Sequence, residues 1–327
     1  MEQRTRDKKD HCDAPVDLRS VVGSRPQVDR RSAAFVLVAA LLWGTTGTAQ
    51  SFAPDGASPL TVASVRLCVG GVILLVWAFA RSGRAGMAAC WTRGTWLLTV
   101  VGCGAVTAYQ ALFFSAVRET GVAIGTLVAI GCAPVIAGLL GLSIGERLSG
   151  VWGLATAVTV TGLALLLMPG DSGVVRPLGV LAAFGAAAAY STYTVIGRVL
   201  LARGVEGRVV TGTFFGFACL PAVLLAAGDD YGWLTTWNGA GVALWLGIGA
   251  TAVPYLLWIR GLKATMASTA TVIGLAEPLT ASLLGIWFLG EEVTGWTVIG
   301  MVTIIVGLIL AGYQGRTTPR TTSSDRP

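Results

Sequence analysis

Apolar residues run through this chain in long blocks, and the charges fall between the blocks. Residues 33–54, 94–117, 120–145, 148–170, 177–197, 209–228, 231–259 and 293–315 contain no Asp, Glu, Lys or Arg. Two further apolar stretches are each broken by one charge, 56–80 by Arg66 and 264–290 by Glu277. A helix crossing a bilayer needs roughly 20 apolar residues, so nearly every block holds one crossing and none holds two. The pattern predicts ten transmembrane helices. The longest block, 231–259, reads as a loop over 231–238 followed by a helix.

Composition removes the soluble alternatives. Charged residues make up 12% of the 327, hydrophobic residues 54%, and the mean hydropathy is +0.72. Too little polar surface exists to cover ten such blocks in water. The positions of Lys and Arg then orient the chain. With the N-terminus in the cytosol, 20 of the 23 fall in the tails and cytosolic loops, two (Arg118 and Arg176) in outer loops, and Arg66 inside a span. The positive-inside rule therefore predicts both termini cytosolic in the cytoplasmic membrane. Residues 1–32 and 314–327 are polar and lack apolar periodicity, and read as disordered cytosolic tails.

An internal repeat follows. Pro134-Val-Ile-Ala-Gly-Leu-Leu-Gly141 returns as Pro278-Leu-Thr-Ala-Ser-Leu-Leu-Gly285, offset by 144 residues. Gly145-Glu146 returns as Gly290-Glu291, and Gly162-Leu163 as Gly307-Leu308, both offset by 145. The unit is five helices. An odd number of crossings makes the second copy enter from the opposite side, the inverted-repeat arrangement of secondary transporters, whose sites lie near the midplane between repeats.

These features carry a resemblance. Two five-helix units, Trp43-Gly44, Arg66, Pro134 with Gly145-Glu146, and Glu277-Pro278 with Gly290-Glu291 resemble the drug/metabolite transporter superfamily, EamA type, over about residues 33–313. The first copy is one residue shorter between Pro and Glu, and Arg147 is replaced by Glu292 in the second. The resemblance implies an all-α membrane protein of ten transmembrane helices in two inverted five-helix repeats, 33–170 and 177–313. It further implies a transporter, not an enzyme, that exports a small metabolite, amino acid or drug. It leaves the substrate open.

Glu277 has thirteen uncharged residues on each side. A charge at mid-membrane costs at least about 2.5–3.5 kcal/mol on insertion scales, so this carboxyl should face the bundle interior or a wet cavity, or be protonated. Two readings stand: a proton or substrate site, and a structural carboxyl tied to a neighbouring helix. Arg66, the one basic residue inside a span, either pairs with Glu277 or binds a substrate anion, or else snorkels to the interface. Trp43, Tyr109, Gln110, Tyr190, Tyr193, Tyr255 and Trp258 are candidates to line a cavity, with helix packing as the alternative for each. Pro134, Pro221, Pro254 and Pro278 lie inside spans. Each removes a backbone hydrogen bond and is a hinge or a fixed kink. Gly121 with Gly125, Gly141 with Gly145, and Gly212 with Gly216 have the spacing of close helix contacts, and Glu146 and Glu291 read as caps at span ends.

No nucleotide motif is present, so ATP-driven transport by this chain alone is not expected. The single His, His11, lies in the tail, and the cysteines at 12, 68, 90, 103, 132 and 219 have no metal spacing. The expected partners are a small-molecule substrate, the lipid bilayer and protons as a coupling ion, with no nucleic acid, nucleotide, cofactor or metal. The rival classes are an integral membrane enzyme acting on a lipid, which would need a polar catalytic cluster, and a channel, which would need repeated polar rings.

Overall fold

A computed structural model describes residues 29–168 and 176–313. Ten helices within them are long and apolar enough to cross a bilayer. They are α1 (Arg30–Ser51), α2 (Leu60–Trp91), α3 (Trp96–Gly121), α4 (Ile124–Ser143), α5 (Gly150–Leu167), α6 (Pro177–Ala202), α7 (Gly207–Leu224), α8 (Trp237–Gly261), α9 (Ala267–Leu289) and α10 (Gly295–Tyr313). A short 3-10 turn over Gly232–Thr235 precedes α8, as the long block predicted.

Several helices start where a side chain satisfies an otherwise unpaired amide. Ser149 accepts from Trp152 N at 3.1 Å, and Thr236 from Gly239 N at 3.0 Å. The N-terminal tail expected through residue 32 gives way to helix three residues sooner. Asp29 accepts from Ser32 N at 3.1 Å and starts α1 at Arg30. The same bonds hold its carboxyl below the usual aspartate range. The rest of that tail, and the tail expected at 314–327, lie outside the described residues.

Contacts between helices repeat with a five-helix offset. α3 packs along α6 as α8 packs along α1, and the C-terminal part of α4 meets α6 as that of α9 meets α1. α2 against α7 and α5 against α10 are pairs that map onto themselves. Small and hydroxylated residues are frequent in the interfaces, beside a core of buried large side chains such as Leu74, Leu163 and Trp258, and many other large apolar side chains point outward. Leu139, Leu220, Trp287 and Ile309 are exposed, whereas Ala186, Ala218, Thr159 and Thr213 are buried. Buried hydroxyls bond to carbonyls, as Thr159 does to Ala155 O at 2.6 Å.

The glycine pairs divide. Gly212 and Gly216 pack α7 on α2, with no room for a Cβ at 212, where Leu74 O would lie 2.7 Å away. Gly121 and Gly145, read from sequence as packing positions, instead have φ of 81° and 92° and turn the chain at span ends. Three of the four prolines stand at helix irregularities. Pro134 follows a break at Cys132, Pro254 follows a π-helical stretch over Trp245–Ala252, and Pro278 follows a break at Leu275. Pro221 lies within the uninterrupted helix Gly207–Leu225.

Candidate functional site

A cavity of about 460 Å³ lies between the helices. Its walls come from the middle of the bundle and from one end only. On α1 they run from Trp43 to Gln50, on α2 from Val62 to Arg66, on α3 from Tyr109 to Val117, and on α9 as far as Ser282. Leu167, at the end of α5, is the limit on that helix. The cavity therefore opens at the face where α1 ends and α2 begins, here called the open face. The other face, where α1 begins and α10 ends, is the terminal face.

Six of the candidates meet in this space: Trp43, Arg66, Tyr109, Gln110, Tyr190 and Tyr255. Glu277 and Pro278 join them from α9. Arg66 and Glu277 do not pair. No ion pair links them among the described residues. Arg66 Nε, Gln110 Nε2 and Trp43 Nε1 are buried donors without a hydrogen-bond partner. Buried donors normally find acceptors, and here three unmatched ones border a single cavity.

Tyr193 and Trp258 stand behind the wall instead of in it. Tyr193 Oη lies 3.5 Å from Tyr255 Oη, and the Trp258 ring is 5.1 Å from that of Trp43. Trp43 also meets Tyr255 at 4.9 Å, Tyr109 meets Tyr190 at 5.7 Å, and Tyr190 meets Tyr193 at 5.3 Å. Such pairs contribute about 0.5–1.5 kcal/mol each beyond burial, so the rings form a connected floor that holds the front residues in place. Pro134, Pro221 and Pro254 lie away from the cavity surface.

Other lining residues were not singled out from sequence. Phe113, Phe114 and Val117 follow Gln110 at i+3, i+4 and i+7, which is one face of α3. That period was the available signal. Thr126, Thr271 and Ser282 add hydroxyls to the wall.

The terminal face is shut. Glu146, 2% exposed, accepts from Ala267 N at 2.8 Å and from Ser268 Oγ at 2.9 Å. Arg198 Nε lies 3.1 Å from Glu146 Oε1, an ion-pair distance without hydrogen-bond alignment. The Arg198 Nη1 donates to Leu262 O at 2.8 Å and Thr265 O at 2.6 Å. Arg203 donates to Gly94 O nearby.

Residues 30–168 and 177–313 each match the EamA-like transporter family. The chain belongs to that family. It is a multi-pass membrane protein and a transporter, not an enzyme. Uncharacterized transporter YwfM of Bacillus subtilis is 37% identical over 285 residues, covering 86% of this chain and 94% of that one. The aromatic amino acid exporter YddG of Ancylobacter novellus is 27% identical over 262 residues, 79% of this chain and 88% of that one. A solved crystal structure, 24% identical, aligns with a TM-score of 0.75 over 87% of this chain and 97% of its own, a likeness of fold.

Proposed function

We propose that this protein exports a small zwitterionic metabolite with an aromatic or apolar side group, in the simplest case an amino acid. The observation that carries the reading is one cation and one carboxylate, Arg66 and Glu277, facing the same cavity without pairing. A substrate carboxylate on Arg66 and an ammonium group on Glu277 would satisfy both, with the unmatched N–H groups of Trp43 and Gln110 supplementing the anion site. The Trp43, Tyr109, Phe113 and Tyr190 rings would take the apolar part. A volume of about 460 Å³ suits a small molecule. The aromatic amino acid exporter among the relatives supports the same substrate class.

The mechanism that fits is alternating access, in which two inverted repeats, 33–170 and 177–313, rock about the cavity. The Lys and Arg distribution supports cytosolic termini in the cytoplasmic membrane, and the open face then faces outward. Glu277 is the proposed carrier of a coupling proton. Tyr193 and Trp258 support the site from behind, and Pro134, Pro254 and Pro278, at helix irregularities, are the proposed flexing points. Pro221, within an unbroken helix, is proposed as a fixed kink.

The test is counterflow in proteoliposomes with labelled tryptophan, phenylalanine and their decarboxylated amines. Saturable exchange of the amino acids but not the amines is expected. Arg66→Gln should weaken that exchange by about 10–150-fold, the equivalent of a charged hydrogen bond of about 1.5–3 kcal/mol. Equal exchange of acid and amine, or an Arg66→Gln variant of unchanged affinity, would overturn the reading.

A further inference from the structure

The two Gly-Glu turns fold alike yet have opposite surroundings. Gly145 and Gly290 both have positive φ, 92° and 70°. Each turn bonds back to the preceding helix, Glu146 N to Gly141 O at 2.8 Å and Glu291 N to Gly285 O at 3.3 Å. At the terminal face, Glu146 is buried and caps the first amides of α9. At the open face, Glu291 is exposed, and its carboxylate has no hydrogen-bond or ion-pair partner among the described residues.

The five-helix offset says what Glu291 lacks. Glu146 of the α4–α5 turn caps α9, so the counterpart for Glu291 of the α9–α10 turn is the first turn of α4. An offset of 144 sets Ala123 and Ile124 against Ala267 and Ser268. We infer that Glu146 and Glu291 are alternating gate carboxylates: each caps the opposite repeat's helix, α9 or α4, when its own face is closed, and releases it when that face opens. A helix N-terminus presents unpaired amides and a partial positive charge, so a carboxylate that docks there and leaves again acts as a latch.

The latches are unequal. At the terminal face Arg198 of α6 completes the knot. The equivalent place at the open face belongs to α1, and its block 33–54 holds no charge. Closure of the terminal face therefore has the stronger tie, in keeping with the closed end seen here.

The inference goes beyond the substrate reading, and its test needs no transported molecule, so the two can fail separately. Hydrogen exchange of the full chain in lipid nanodiscs, read by mass spectrometry, follows the amides of 267–268 and 123–124. Glu146→Ala should speed exchange at 267–268 and slow it at 123–124, each by about fivefold or more, the lower end of ordinary coupling between sites. The slowing at 123–124 should vanish in Glu146→Ala/Glu291→Ala. Glu291→Ala alone should slow exchange at 267–268, because it destabilises the state in which they are released. This second variant alters an exposed side chain and tests the inference even where Glu146→Ala fails to fold. A surface role for Glu291 predicts no change at 267–268. That result, or faster exchange at both segments in a Glu146→Ala protein that exchanges as wild type elsewhere, would overturn the inference.

Discussion

Gly44 and Gly47 offer a matched test of how tightly α1 sits on α9 beside the site. Both border the cavity and both are helical. A Cβ on Gly47 would meet nothing within 4 Å. A Cβ on Gly44 would lie 2.7 Å from Glu277 O and 2.5 Å from Thr280 Cβ, against an ordinary contact of 3.4 Å or more. The shortfall is about 0.7–0.9 Å, and one of the obstacles is backbone, so a rotamer change cannot relieve it. Alanine gains about 1 kcal/mol of helix propensity at either position. Overpacking costs about 1–3 kcal/mol, and only Gly44→Ala incurs it. The expected difference between the two variants is therefore about 1–3 kcal/mol. At about 2–4 °C per kcal/mol, Gly44→Ala should melt several degrees below Gly47→Ala.

Function should separate them as well. The methyl of Gly44→Ala pushes on the carbonyl of Glu277 itself, so the carboxyl shifts with α9 and transport falls without any charge being changed. The assay is melting by size-exclusion chromatography after heating, with counterflow on the surviving protein. Equal melting points for the two variants would refute the tight α1–α9 contact. Equal melting with unequal transport would move the effect of Gly44 away from packing and onto the cavity surface.

Two further outcomes are expected. Glu277→Gln should leave the protein folded and inserted while abolishing the pH dependence of transport, measured as uptake against external pH in proteoliposomes; an unchanged pH profile would remove Glu277 as the proton site. Gly307→Ala should destabilise the α5–α10 pair by about 1–3 kcal/mol before the helix-propensity gain, because its Cβ would lie 2.9 Å from Thr159 N; the apparent melting point should fall while substrate affinity of the folded fraction stays the same.

The ten crossings were legible in the sequence because the bilayer imposes a length and a charge rule that the blocks obey. The meeting of Arg66 and Glu277 was legible in part: a charge inside a span must face inward, although which charge it faces depends on packing. Finer placement was not. Tyr190 and Tyr193 are three residues apart, about 60° round the helix and nearly one turn along it, so Tyr190 reaches the cavity while Tyr193 stands behind it, and no property of the two phenols distinguishes them. Phe113 and Phe114 escaped notice because a plain aromatic ring reads the same against lipid, core or ligand. Gly145 failed as a packing position because a glycine at a span end serves close approach and left-handed turning equally well, and only the backbone decides. Glu146 was read as a cap, and it is one, but the helix it caps lies in the other half of the chain.

Symmetry and asymmetry divide the work in this molecule. Helix contacts repeat under the five-helix offset, as do the Gly-Glu turns. The chemistry does not repeat. Glu277 has Ala133 as its counterpart, and the α7 block 209–228 contains no basic residue to match Arg66. A site with two equivalent halves would suit a ligand that is itself two-fold symmetric. A zwitterion has distinct ends, and a single cation facing a single carboxylate binds it in one orientation. Under the proposed mechanism the backbone symmetry makes two opposed openings of similar geometry available, while the unrepeated charges keep hold of the same substrate groups through both. The latch asymmetry adds the third part. Under the inferred latch, Arg198 stands on one side and the uncharged block 33–54 of α1 on the other, so the two openings would differ in free energy and binding would have to supply the difference that moves the protein from one to the other.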